Sequence, residues 1–145
     1  MSSDQKTKVG ICADHAGFTL KEIIKEKFAD TLEFVDFGTD TNESMDYPDV
    51  AHPLAKAVLN KDVTWGIAIC GSGNGINMTT NKYPGIRSAL CWREDIAELA
   101  RQHNDANVLS LPSRFISTEI ALDIVEAFAE FEFEGGRHQR RIEKI

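Results

Sequence analysis

The chain has 145 residues, 42% of them hydrophobic and 27% charged, which suffices for one packed core and is too short for two full-sized ones. With 10 Gly and 4 Pro, that composition excludes a disordered, collagen-like or fibrous chain. The formal charge of −7 disfavours nucleic acid or an anionic membrane as a general partner.

The opening MSSDQKTK is polar where a secretory leader needs an apolar run, and no stretch reaches 18 uninterrupted apolar residues. A cytoplasmic protein with no membrane partner is expected. The first predicted strand, Val9 to Ala13, runs into Asp14-His15-Ala16-Gly17, which sets a carboxylate beside an imidazole just before a helix. An Asp there can also simply cap that helix. The helix, from Phe18 to Phe28, carries Leu20, Ile23, Ile24 and Phe28 on one stripe, a core face.

A second strand, Glu33 to Phe37, precedes a helix that opens after Tyr47-Pro48, where Pro53 lacks a backbone donor and is expected to bend the first turns. The third strand, Gly66 to Cys70, passes directly into Gly71-Ser72-Gly73-Asn74-Gly75 and a helical Ile76-Asn77-Met78. Three glycines let the backbone turn tightly and aim several N–H groups at one point, an oxyanion-binding nest. The spacing is G-x-G-x-G after an internal strand, unlike the G-x-G-x-x-G dinucleotide fingerprint, and no GxxxxGK[ST] occurs.

Beside that nest, Cys70 is expected to have a lowered pKa and to serve as base or nucleophile. The other two cysteines, Cys12 and Cys91, lie inside strand runs and read as core residues, and with no CxxC pair and no HExxH there is no disulfide framework and no cysteine-rich zinc site. A fourth strand, Arg87 to Cys91, leads to a helix from Asp95 to Gln102 that ends in His103-Asn104-Asp105, and His103 is expected near the same rim as Cys70. The fifth strand, Asn107 to Leu111, is followed by the last long helix, with Ile120, Ile124, Val125 and Phe128 as its core stripe. Strand–helix alternation over five units predicts one α/β domain spanning residues 1–145, with a parallel sheet covered on both faces. In such sheets ligands bind beyond the carboxyl ends of the strands, where the strand order reverses.

Residues 135–145, GGRHQRRIEKI, carry a net +3 in an otherwise acidic chain. On a helix, Arg137 and Arg141 would share one face, where two guanidinium forks could bracket a phosphate.

Cys12 to Phe18, Asp46-Tyr47-Pro48, Ile69 to Gly73, Asn81-Lys82 through Gly85-Ile86-Arg87, Arg101 to Asp105 and Gly135 to His138, taken in that order, resemble the type B ribose-5-phosphate isomerases. That group lies in the sugar-phosphate isomerase family that also holds the galactose-6-phosphate isomerase subunits. The resemblance covers nearly the whole chain. It implies a Rossmann-like three-layer sandwich and a homodimer or dimer of dimers with shared active sites. It further implies interconversion of ribose 5-phosphate and ribulose 5-phosphate through an enediolate, with no metal and no cofactor.

By position, the resemblance makes Cys70 the base and His103 the ring-opening group. Gly71, Ser72, Gly73, Asn74 and Gly75 would hold the enediolate oxygen, with the Ser72 hydroxyl where many members have Thr. Asp14, Tyr47 and Asn104 would contact the sugar, and His15, Arg114, Arg137 and Arg141 the phosphate. Two other readings stand beside this one: a hexose-6-phosphate isomerase of the same family, and a non-catalytic anion-binding module, which would have no use for a thiolate at Cys70.

Overall fold

The computed structural model of the chain describes residues 5–145. Residues 1–4, which begin the polar opening segment, lie outside the described residues.

Five strands and six helices alternate as β1 (Thr7–Ala13), α1 (Phe18–Lys27), β2 (Leu32–Asp36), α2 (Pro48–Leu59), β3 (Trp65–Cys70), α3 (Asn74–Thr80), β4 (Ser88–Leu90), α4 (Glu94–Asn104), β5 (Val108–Pro112), α5 (Thr118–Glu130) and α6 (Arg137–Ile142). The strands form one parallel sheet in the order β2-β1-β3-β5-β4. The order reverses between β1 and β3, so the loops leaving these two strands diverge and open a crevice at their carboxyl ends. No helix among the described residues is long and apolar enough to cross a membrane.

Alternation along the central strands divides the core in two. Val9, Ile11, Ile67, Ile69, Leu109 and Leu111 face α1, α4 and α5, whereas Cys12, Ala68, Cys70 and Val108 face α2 and α3. On the second face Gly10 and Gly66 are register partners, and a Cβ at either would lie 2.6 or 2.9 Å from Leu54 Cδ1. Those two glycines let α2 sit close on the sheet, which brings Tyr47, at its N-terminus, over the end of β3. The α2 helix runs from Pro48 through Pro53 to Leu59 without interruption. Its missing N–H falls in the second turn, where the bond it would have made is to the Asp49 carbonyl.

Two stripe assignments need correction. Ile23 is only half-buried, and the fully buried polar residue beside it is Lys21, whose ammonium pairs with Asp36 and with Glu22 at 2.8 Å. A long stem in the core with its charge delivered to carboxylates makes a lysine tolerable at an inward position. Ile120 lies in the first turn of α5 and is 43% exposed, because the chain reaches the sheet only from Ala121 onward.

Candidate active site

Asp14 and His15 follow β1, Cys70 ends β3 and the loop 71–75 follows it, and Arg114 follows β5. All therefore stand at the carboxyl rim of three adjacent strands.

Local hydrogen bonds set each of them. Asp14 Oδ1 accepts from the amides of Ala16 (2.9 Å) and Gly17 (3.2 Å), so the carboxylate shapes the turn into α1 while Oδ2 accepts nothing among the described residues. His15 Nδ1 accepts from the Met45 amide (3.2 Å), which fixes the neutral tautomer with its proton on Nε2, a donor available to an anion. Ser113 Oγ donates to the carbonyls of Ala16 (2.9 Å) and Cys70 (3.2 Å), clamping the three loops together. Although Pro112 ends β5 without a donor, the Ser113 amide bonds Cys70 O and the Arg114 amide bonds Gly71 O, each at 3.0 Å. That register lays Arg114 beside Gly71, with Nη1 3.3 Å from where a Cβ on that glycine would be.

In the glycine loop Gly73 takes φ 78°, a left-handed conformation that favours glycine. Ser72 Oγ accepts from the Asn74 amide (3.2 Å), so the Asn74 N–H is spent inside the loop and the hydroxyl proton of Ser72 remains to be donated. The Ser72 and Gly73 amides donate to no acceptor among the described residues. The tyrosine hydroxyl covers Gly75: a Cβ there would lie 2.6 Å from Tyr47 Oη. The Ser72 and Gly73 amides and the Ser72 hydroxyl are thus donors left for an anionic oxygen, in the loop that directly follows Cys70.

The structure overturns one expectation about this rim. His103 does not lie there. A helix that returns from the end of one strand to the start of the next must finish at the opposite edge of the sheet, and α4 does so. Arg87, immediately before β4, donates from Nε to the Asn104 carbonyl (2.9 Å), and the Asn107 carbonyl accepts from the amide of Gly66, near the start of β3 (3.0 Å). Since α4 has 11 residues at about 1.5 Å each, His103 and Asn104 stand on the order of 15 Å below the rim of their own chain.

The basic tail is at that lower edge as well. Glu134 donates its amide to Gln102 O (3.0 Å), and Gly135 and Gly136, with φ of 74° and 60°, turn the chain so that the ring of His138 stacks on that of His103 at 4.1 Å between centroids. As the shared-face reading requires, Arg137 and Arg141 are on one helix, α6, and both are exposed. The proposed residues thus fall into two groups: Asp14, His15, Tyr47, Cys70 to Gly75 and Arg114 above, with His103, Asn104, Arg137 and Arg141 below.

A family profile described as Ribose/Galactose Isomerase matches residues 9–145. The chain belongs to the ribose/galactose isomerase family. It is 45% identical over 139 residues to ribose-5-phosphate isomerase B of Escherichia coli, covering 95% of this chain and 93% of that one. Among solved structures it is similar to a ribose 5-phosphate isomerase of Thermotoga maritima, with TM-score 0.94, 45% identity and 97% of both chains covered. It is also similar to ribose-5-phosphate isomerase B of Mycoplasma genitalium, solved with bound ribulose 5-phosphate, with TM-score 0.90, 45% identity and coverage of 95% and 93%. The Rossmann-like sandwich is the fold of these relatives too.

Sequence reasoning gave no role to Glu134 or His138. The glycine pair between them, which permits a sharp turn, is the one signal that could have singled them out. Burial, then the neighbouring charges of His103 and Arg137, holds the His138 pKa below its ordinary value.

The three thiols differ in setting. Cys12 and Cys91 are sealed in the core, where burial pushes the Cys12 thiol far up and the Cys91 thiol up to about 12. Cys70 alone is at the rim. Iodoacetate should therefore carboxymethylate Cys70 first, with ribose 5-phosphate protecting it. Equal labelling of all three thiols by mass spectrometry would contradict the assignment of a reactive thiol to Cys70.

Proposed function

We propose that the chain is an aldose–ketose isomerase that interconverts D-ribose 5-phosphate and D-ribulose 5-phosphate, a reaction of the non-oxidative pentose phosphate pathway, at a site built from two copies of the chain. The observation that carries this is the placement of Cys70 at the switch point, beside the free amides of the loop after β3.

In the reaction the Cys70 thiolate removes the proton from carbon 2 of the open-chain aldose. That electron pair forms the C1–C2 double bond while the carbonyl oxygen on C1 takes the negative charge. The proton on the C2 hydroxyl passes to the C1 oxygen, and the thiol returns its proton to C1, leaving a ketone at C2. Negative charge thus resides on oxygen throughout the intermediate, where the Ser72 and Gly73 amides and the Ser72 hydroxyl can contribute a few kcal/mol to lowering the barrier. Before this, His103 takes the proton of the anomeric hydroxyl and a proton is returned to the ring oxygen as the C1–O4 bond opens. Hydrogen moves within the substrate, so the scheme consumes no redox equivalents.

His103 can act there only if it comes from another chain. Trp92, just before α4, and Ile96 and Leu99 on it are 46%, 45% and 41% exposed, at a spacing that continues to His103; Phe115, 60% exposed, packs on Trp92 at 5.6 Å. Such a strip is suited to a twofold partner. With the two α4 helices antiparallel, His103 of the partner subunit arrives at the Trp92–Phe115 end, next to Arg114 and the Cys70 loop. The same operation carries Asn104, Arg137 and Arg141 across, which supplies sugar contacts and phosphate ligands to the other chain's rim. The free thiols suit a reducing compartment, in keeping with a cytoplasmic enzyme.

The test is a coupled isomerisation assay of the purified chain on ribose 5-phosphate, ribulose 5-phosphate and hexose 6-phosphates. Turnover favouring the pentose phosphates is expected. A higher kcat/KM on a hexose phosphate would move the assignment within the family, and binding without turnover would leave an anion-binding module.

A further inference from the structure

At the lower edge, His103, Glu134 and His138 form a group of three metal-ligating side chains that the isomerase scheme uses only in part. The Nε2 atoms of His103 and His138 lie 3.8 and 3.7 Å from Glu134 Oε1, and all three ligand atoms are within 4.8 Å of one another. Zinc bound tetrahedrally at about 2.0–2.2 Å sets neighbouring ligands roughly 3.3–3.5 Å apart, so Glu134 needs to close by only a few tenths of an ångström on each ring.

The two rings are nearly parallel, at 13°, with the ligand atoms up to 4.8 Å apart, so His103 must both tilt and close by about 1 Å for the two nitrogen lone pairs to meet one ion. His103 and Glu134 have the room, with side chains 38% and 51% exposed, whereas His138 is buried and holds its place. The positive-φ turn at Gly135 and Gly136 holds the group together. Two imidazoles and a carboxylate are a donor set suited to zinc, while magnesium and calcium require oxygen ligands throughout. Arg137 and Arg141, on the same short helix as His138, oppose a cation and lower the affinity.

We propose that His103, Glu134 and His138 bind one Zn²⁺ per chain, with water at the fourth position, and that the bound ion inhibits isomerisation by occupying Nε2 of His103. The binding half rests on geometry alone. The inhibitory half rests on the ring-opening role given to His103 above.

The test is titration of the intact protein with Zn²⁺, followed by calorimetry, and with Co²⁺, followed by its visible absorption. One site per chain is expected. Glu134→Gln and His138→Gln should each weaken binding at least tenfold, and Cys70→Ser should leave it unchanged, since no thiolate is involved. Zn²⁺ should also suppress turnover reversibly, a chelator restoring it, and the inhibitory concentration should rise at least tenfold in Glu134→Gln, measured against that variant's own metal-free rate. No saturable binding at micromolar zinc, or binding indifferent to Glu134→Gln and His138→Gln, overturns the site. Zinc that binds there yet leaves turnover of the closed sugar unchanged upholds the site and overturns the inhibitory role, and with it the assignment of His103 as the ring-opening group.

Discussion

Cys70→Ala should lower kcat on ribose 5-phosphate by about 10²–10⁴-fold, the usual range for loss of a general base, while KM changes little. In the proposed mechanism the thiolate touches only the hydrogen that moves between carbons 1 and 2, whereas ground-state binding comes from the phosphate ligands and sugar contacts. A cysteine-to-alanine change at the end of β3 removes one sulfur atom from a residue that is 5% exposed at the edge of the core, so the fold should survive. Circular dichroism and the affinity for a substrate analogue report on that separately. A variant with near-normal kcat would remove Cys70 from the chemistry.

Arg137→Ala or Arg141→Ala should instead act on binding. On the proposed assignment each removes one charge-assisted partner of a phosphate, which costs roughly 1.5–3 kcal/mol, or about 10–150-fold in affinity. Both side chains are exposed and neither makes an ion pair among the described residues, so stability should hardly move. Lysine offers a point charge where arginine offers a planar fork, and Arg137→Lys should recover only part of the loss. Steady-state kinetics would show KM rising with kcat largely kept. An unchanged KM for both variants would place the phosphate elsewhere.

The rim was legible in the sequence because its groups lie within a few residues of strand ends: Asp14-His15 after β1, Cys70 with its glycine loop after β3, and Arg114 after β5. Local order along the chain is enough to place such residues. The lower group was not legible in this way. His103 reads as a neighbour of Cys70 only if the direction of α4 is ignored, and once that helix runs antiparallel to the strands the two residues belong to opposite edges. What would reunite them, in the proposed shared site, is a contact between chains, written in the sequence only as exposed apolar side chains at Ile96 and Leu99 on α4 and at Trp92 just before it. Glu134 and His138 were hidden for a different reason: it is the positive-φ glycines at 135 and 136 that fold them back onto the end of α4, and nothing in the spacing gives the direction of that turn.

The claim that two chains build each site is tested most directly by mixing two variants, Cys70→Ala and the double variant Arg137→Ala/Arg141→Ala, under conditions in which subunits exchange and at a substrate concentration far below the raised KM of the double variant, where both parents turn over negligibly. Each parent lacks one half of every site. A hybrid dimer has one rim with an intact Cys70 facing intact arginines of the other chain, and one site with neither. At equal amounts half of the dimers are hybrids, so activity should rise to about a quarter of the wild-type value. If mass spectrometry confirms the hybrids and activity stays at the level of the parents, the arginines serve their own chain and the shared site is wrong.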